Sequence, residues 1–311
     1  PHFTNHCSSC DDPLPVLRSR HPGRDLLFMA ECYGFQNNLG LFARGMDAAY
    51  DDDFYKLGQY AYAVDEEGSS RLRLSEDAHH NHDFHPVLDA WQDGGIAAAA
   101  GRILMQYEEA APRFAGPRYA ARYTDNHDEG RGLYRFGPGA FRALNLLAFL
   151  SPRALPFLLT GQEFGAVNRP SIHARCQPCD KGRRLLSADG REFRQEGVEF
   201  EGNLFARGFE ERRHWREFFR DLIALRRKHR PLVDGACALT DPGEDAPPHE
   251  RTVVAFDRTL GRRLIRCAVN LGDQPRRLER APHLFAGPVL YGELGPGGVL
   301  PPFGACVVQV S

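Results

Sequence analysis

Three apolar runs in this chain lead into acidic residues, and their spacing suggests chemistry at the ends of strands. The run at 26–30 ends at Glu31, the stretch 118–123 is followed by Asn126-His127-Asp128, and the run at 154–160 leads into Gly161-Gln162-Glu163. In α/β enzymes built on parallel strands, the catalytic groups lie where the strands end. Because those ends meet at one edge of the sheet, the pattern predicts one pocket lined by carboxylates.

The elements that must position these groups alternate between strand and helix up to about residue 231. Apolar runs and helical periodicity predict strands at 25–31, 45–50, 118–123 and 154–160, and helices at 35–43, 86–111, 139–150 and 210–230. Alternation of this kind is typical of a parallel α/β sheet, and four strand–helix units amount to half of an eight-stranded barrel.

The pattern changes after residue 231. Short runs rich in β-branched residues, separated by Gly, Pro and Asp, predict strands at 252–256, 264–271, 289–291 and 306–310 with no helix between them. The sequence therefore predicts two domains, an α/β domain in residues 1–231 and an all-β domain in residues 232–311.

Composition excludes several classes of partner. Among 311 residues the formal net charge is −2, which gives no electrostatic reason to expect nucleic acid or an anionic membrane surface. No apolar run approaches the roughly 20 residues that a membrane span needs. The beginning of the sequence, Pro1-His2-Phe3-Thr4, has no initiator methionine and no signal-peptide pattern, and we expect it to be an interior point of a longer polypeptide.

The eight cysteines fall into two groups. Four lie in apolar or strand-like surroundings, where buried free thiols are expected: Cys32, Cys237, Cys267 and Cys306. The other four form two Cys-x-x-Cys pairs, Cys7 with Cys10 and Cys176 with Cys179, each with the spacing of half a zinc site. A shared structural zinc, disulfides and unpaired surface thiols remain alternatives for these pairs.

A second group of potential metal ligands lies in the polar stretch 65–85, which is predicted to be a loop. It contains four histidines, His79, His80, His82 and His85, without regular ligand spacing. We interpret this stretch as a solvated loop that leads into a helix.

Several of these stretches resemble the α-amylase family of glycoside hydrolases. Residues 28–31 are similar to a family strand that ends in the catalytic acid, and Asn126-His127-Asp128 is similar to a later strand end. Residues 155–165 and 219–231 resemble the last barrel strand and helix. The all-β tail resembles the family's C-terminal sandwich. The resemblance implies strands 5 to 8 of a (β/α)8 TIM-type barrel followed by a small β-sandwich.

The resemblance also implies roles. Glu31 corresponds to the acid/base and Asp128 to the carboxylate that stabilises the transition state, with His127, Asn126 and His2 as substrate-binding residues. The long loop after the predicted strand 154–160 contains a further candidate for sugar contact, Arg169. The implied substrate is an α-glucan such as starch or maltodextrin, and the chemistry needs no cofactor. Calcium, if the protein has any, is expected in the half of the barrel that the chain lacks.

One departure from the family pattern decides what the chain can do alone. The family nucleophile is an Asp four positions before a His, and Pro1-His2 resembles the end of that motif. The nucleophile is therefore expected just ahead of Pro1, and residues 1–311 alone are expected to be inactive. Hydrolysis and glucosyl transfer remain alternatives, because both pass through the same covalent intermediate. A third alternative is that the protein is a non-catalytic relative that binds carbohydrate or serves in assembly.

Overall fold

The computed structural model describes residues 13–167, 183–186, 192–195 and 213–311. Its strands, in chain order, are β1 (Met29–Ala30), β2 (Ala48–Tyr50), β3 (Tyr62–Asp65), β4 (Ser70–Leu72), β5 (Tyr119–Arg122), β6 (Ala154–Pro156), β7 (Arg183–Leu186), β8 (Glu192–Gln195), β9 (Ala236–Leu239), β10 (Val253–Leu260), β11 (Arg263–Asn270), β12 (Arg276–Arg277), β13 (Val289–Gly292), β14 (Val299–Leu300) and β15 (Ala305–Gln309). The helices are α1 (Pro13–Arg20), α2 (Phe35–Ala43), α3 (Asp52–Ala61), α4 (His85–Ala110), α5 (Gly132–Leu150), α6 (Arg213–Lys228), α7 (Pro231–Asp234) and α8 (Ala281–Leu284).

Four parallel strands form one sheet in the order β1-β2-β5-β6. Their inner positions are small, and six buried alanines lie in the paired segments: Ala30, Ala48, Ala49, Ala120, Ala121 and Ala154. Helix α2 connects β1 to β2, helices α3 and α4 lie between β2 and β5, and α5 connects β5 to β6. The parallel α/β prediction is confirmed, and all four predicted strands are present, although β6 ends at Pro156 rather than residue 160.

Helices α2, α4, α5 and α6 lie in predicted segments, whereas α3 was not predicted, and two of the helices bend at glycines. Helix α4 turns at Gly94 and Gly95, where Gly95 has a φ of 70°. A Cβ atom at Gly95 would lie 2.4 Å from the carbonyl oxygen of Arg251, so only glycine allows this close approach. Helix α5 bends at Gly137, before Pro138, and its first turn begins seven residues earlier than the predicted helix.

A second sheet was not predicted from the sequence. It has the order β4-β3-β7-β8, and its first two strands lie within or next to the stretch interpreted as a loop. Strand β3 begins directly after helix α3 with no turn residue between them, and all four of its residues are buried. A buried strand without alternation and without a preceding turn has no clear sequence signal, which explains the omission.

The C-terminal region contains a five-stranded antiparallel sheet, in the order β13-β15-β11-β10-β9, and the two-stranded pair β12-β14. The prediction that no helix intervenes in this region is wrong, because Ala281–Leu284 forms one helical turn. Ala281 is buried in a cluster with Leu278 and Leu300, so this turn closes an apolar layer over one face of the sheet.

The other face of the antiparallel sheet joins the core of the α/β region. Phe256 and Val307 belong to the same buried cluster as residues of α4 and α5. The Tyr62 hydroxyl donates to the carbonyl oxygen of Leu271 at 2.8 Å, and Arg258 Nη1 donates to that of Leu150 at 2.9 Å. The core is therefore continuous across residue 231, where the sequence predicted a domain boundary.

The cysteines of the antiparallel sheet are buried and free, as predicted. Burial raises the pKa of the Cys237 thiol to about 12 and that of Cys306 to about 11, and it raises the pKa of Cys267 further. Thiols in this state are poor nucleophiles and serve as apolar packing groups. Cys32 is also free but only partly buried.

No helix in the described part of the chain combines the length and the apolar character that crossing a membrane requires.

One buried carboxyl group makes stability depend on pH. Asp53, in the first turn of α3, is 4% exposed and accepts a hydrogen bond from Gln106 Nε2 at 3.2 Å. Burial, reinforced by the charge of Asp51, raises the pKa of Asp53 to about 7. The native state therefore holds a proton that the unfolded state releases near pH 4, and this contribution to stability falls as pH rises from about 4 to about 7.

Asp53→Asn removes this titration. We expect the stability of the variant relative to the unaltered chain to rise between pH 4 and pH 8 by up to about 4 kcal/mol, at about 1.4 kcal/mol per pKa unit. Urea unfolding at several pH values measures the difference. The exposed Asp89, changed to Asn, is the control. A difference that stays constant with pH would contradict the assignment.

Candidate active site

Glu31 follows β1 at the carboxyl edge of the parallel sheet. Its side chain is partly buried, and Oε1 accepts a hydrogen bond from the Tyr33 hydroxyl at 3.2 Å. Burial and then the adjacent Glu31 carboxylate raise the pKa of Tyr33, so this hydroxyl keeps its proton and remains a donor. The hydrogen bond restrains one oxygen of Glu31 and leaves the other for a ligand.

A buried carboxyl group restrains the loop after β5. Asp125 is 1% exposed, and its Oδ1 accepts a hydrogen bond from the backbone N–H of Gly132 at 3.1 Å. Burial raises the pKa of Asp125 to about 6, and the nearby guanidinium of Arg131 limits the rise. Arg131 Nη2 also donates to the carbonyl oxygen of Thr160 at 2.9 Å, which ties this loop to the one after β6.

Asn126 shapes the turn that presents the next two side chains. Its Oδ1 accepts from the backbone N–H groups of Asp128 at 3.0 Å and Glu129 at 2.7 Å. Asn126 itself is 1% exposed, whereas the side chains of His127 and Asp128 are 37% and 38% exposed. The geometry gives Asn126 a role within the loop. Whether it also contacts substrate remains a prediction.

The structure brings Glu31, His127 and Asp128 together. One ligand atom from each lies within 4.8 Å of the others, and His127 Nε2 is 3.4 Å from Asp128 Oδ2. Strands β1 and β5 are not adjacent, because β2 lies between them. Since β2 ends at the same edge of the sheet, the residues that follow its two neighbours come together across its end.

For Tyr50, the last residue of β2, the sequence favoured packing over stacking on a sugar ring. Tyr50 is buried, and its ring centroid lies 5.1 Å from that of Tyr123 and 5.6 Å from that of Phe157. Burial, followed by the charges of Glu31 and Asp128, raises its pKa. Tyr50 therefore forms, with Tyr123 and Phe157, an aromatic floor near both carboxylates.

The turn after β6, which the pattern of strand ends assigned to the same pocket, is held by hydrogen bonds of its own side chains. Glu163 Oε2 accepts from the backbone N–H of Gly161 at 2.9 Å, and Gln162 Nε2 donates to Thr124 Oγ1 at 2.9 Å and to Asn145 Oδ1 at 3.0 Å. These bonds link β5, α5 and the last loop. Glu163 is not part of the Glu31–His127–Asp128 group.

The remaining candidates fall into two groups. Six lie outside the described residues: His2, Arg169, Cys7, Cys10, Cys176 and Cys179. In the four-histidine segment, two short 3-10 turns replace the predicted loop. The ring centroids of His82 and His85 lie 4.9 Å apart in an edge-to-face arrangement, and the carbonyl oxygen of His79 lies 3.1 Å from His85 Nε2. Within the described ranges, these histidines form no group with metal-ligand spacing.

Comparison of the whole fold with solved structures gives consistent matches. Amy13B of Eubacterium rectale matches with a TM-score of 0.62 at 16% identity, over 96% of this chain and 55% of that one. An α-amylase from H. orenii gives 0.57 at 16% identity, over 95% and 55%, and an isomaltulose synthase from Erwinia rhapontici NX5 gives 0.54 at 15%, over 92% and 56%.

The chain shares its fold with α-amylase family enzymes. It spans about half the length of these solved structures. At identities of 15–17% the likeness establishes the fold alone. No family model and no curated protein matches the sequence.

Proposed function

We propose that this chain provides the acid/base and the transition-state-stabilising carboxylate of a retaining enzyme that acts on α-glucans. The observation that carries the proposal is the convergence of Glu31, His127 and Asp128 at the carboxyl edge of a parallel sheet. Enzymes with parallel α/β sheets keep their chemistry at this edge. The matched structures include proteins named as an α-amylase and an isomaltulose synthase, which supports an α-linked sugar substrate.

In this proposal Glu31 protonates the glycosidic oxygen as the bond breaks, and later removes a proton from the acceptor. The Tyr33 hydroxyl fixes the orientation of the carboxyl group. Asp128, with His127 beside it, accepts hydrogen bonds from sugar hydroxyls and stabilises the positive charge that develops on the ring. Such help is strongest when the groups are held in place beforehand. The Asn126 turn provides that restraint for Asp128.

The retaining mechanism also needs a nucleophilic carboxylate on the opposite face of the sugar, about 5–5.5 Å from the acid. We propose that this residue is an Asp ahead of Pro1, in the part of the matched structures that the chain does not cover. In the same proposal, residues 1–231 are the second half of a (β/α)8 barrel and residues 232–311 a β-sandwich. Glucosyl transfer is the alternative outcome, since water and a sugar hydroxyl compete for one intermediate.

The test compares residues 1–311 with the parent polypeptide. We expect the parent to release reducing ends from maltodextrin and residues 1–311 to release none. In the parent, Asp128→Asn should lower kcat about 10²–10³-fold, the usual effect of losing one preorganised electrostatic contact. The exposed Asp89, changed to Asn, serves as the control. An Asp128→Asn variant with full activity would overturn the site assignment, and activity of residues 1–311 alone would overturn the placement of the nucleophile.

A further inference from the structure

The Glu31–His127–Asp128 group has a second chemical capacity, because its donor set suits a metal ion. Two carboxylate oxygens and one imidazole nitrogen lie within 4.8 Å of one another, and all three residues are partly exposed. Oxygen and imidazole donors together are ligands for divalent ions such as Zn²⁺ and Mn²⁺. Ligand atoms around one ion lie closer together than 4.8 Å, so binding requires the three side chains to move toward one another.

Two of the three ligands are restrained before any ion arrives. The Asn126 side chain fixes the backbone at Asp128, and the Tyr33 hydroxyl holds Oε1 of Glu31. Restraint of this kind lowers the entropic cost of assembling a site. His127 lies next to Asp128 in the same turn, with its Nε2 3.4 Å from Oδ2.

The surroundings favour a cation. Two of the three ligands, Glu31 and Asp128, are carboxylates. In the described part of the chain, no arginine or lysine forms an ion pair with Glu31. Its charge is therefore not neutralised by a nearby protein cation there.

We propose that Glu31, His127 and Asp128 together bind one divalent transition-metal ion, and that the bound ion excludes the sugar. The ion takes the lone pairs that would otherwise hold the proton on Glu31 and accept sugar hydroxyls at Asp128. Protons on Glu31 and His127, where present, pass to solvent as the ion binds. The ion-binding part stands on the geometry alone, whereas the exclusion of sugar rests on the proposed function.

Ion binding is tested on the purified chain by electron paramagnetic resonance with Mn²⁺, followed by displacement with Zn²⁺. Mn²⁺ is the probe because thiolates of the cysteine pairs do not compete for it. We expect one site per chain. Glu31→Gln, His127→Gln and Asp128→Asn should each weaken binding at least about tenfold, the loss typical even of outer partners of a metal site.

The matched control replaces two histidines of the other histidine-rich segment. A His79→Ala/His80→Ala variant should bind Mn²⁺ as the unaltered chain does. Binding that survives in all three ligand variants, or that disappears in this control, would overturn the ion site. Circular dichroism of each variant separates loss of the site from loss of folding.

Exclusion of sugar is tested in the parent polypeptide, where Zn²⁺ should raise the KM for maltodextrin without changing kcat. Inhibition unaffected by substrate concentration would overturn the exclusion. If the parent hydrolyses no glucan, the proposed function fails, and the Mn²⁺ measurement still decides the ion site separately.

Discussion

Glu31→Gln in the parent polypeptide is expected to lower hydrolysis of maltodextrin about 10²–10⁴-fold, the range that a positioned general acid–base contributes. The substitution preserves the shape of the side chain and an acceptor for the Tyr33 hydroxyl, which donates to Oε1 at 3.2 Å. The fold and the aromatic floor should therefore be unchanged. The loss should appear in kcat, because Gln cannot donate a proton to the departing oxygen.

The leaving group separates this acid role from a structural one. In an α-glucoside of a nitrophenol, the nitrophenolate departs as a stable anion and needs no protonation. The first chemical step on this substrate should therefore be nearly as fast in the variant as in the unaltered enzyme. Pre-steady-state release of the phenol measures that step. The exposed Glu76, changed to Gln, is the control and should leave both substrates unaffected. Equal losses on both substrates would contradict the acid assignment.

The sequence indicated which residues converge because strand ends are local features. An apolar run before Glu31, and strand 118–123 before Asp128, are readable without knowing their neighbours. The sheet order then brings the side chains together, with β2 between β1 and β5. Tyr50 was expected to be a packing group, as aromatic residues near strand ends usually are, and its closeness to both carboxylates follows only from the order of the strands.

Contacts formed at long range were the least predictable part. The sheet containing β3 pairs Val64 with Leu185, residues that are distant in the chain, and no local period encodes that pairing. Strand β9 is a short apolar run in which only Cys237 is buried, so its residue types do not reveal that it lies at the edge of the sheet. Asn126, in contrast, lay in a recognised motif, but its bonds to the backbone of its own loop become visible only in three dimensions.

The ion pair between Arg122 and Asp51 is fully buried and links strand β5 to the start of α3. Both side chains are 0% exposed, with Arg122 Nε 2.8 Å from Asp51 Oδ2. Arg122 also donates to the carbonyl oxygens of Pro152 at 3.0 Å and Ile103 at 3.2 Å. Burial raises the pKa of Asp51 even though Arg122 opposes the rise. Removing Arg122 would leave the buried carboxylate without the charge that opposes this rise, so the effect on stability should be severe.

Arg122→Met is expected to destabilise the chain by about 3–5 kcal/mol, because it leaves a buried carboxylate without its cation and two carbonyl oxygens without donors. Asp51→Asn added to Arg122→Met should recover part of the loss, since the amide carries no charge and can still cap α3. Urea unfolding of the single and double variants gives the coupling energy. Arg102→Met, at an exposed pair with a separation of 3.6 Å to Glu109, should cost less than about 1 kcal/mol. A similarly small cost for Arg122→Met would mean that α3 and β5 are held by apolar packing alone. In that case the turn carrying His127 and Asp128, which begins only a few residues after Arg122, would not depend on this pair for its position.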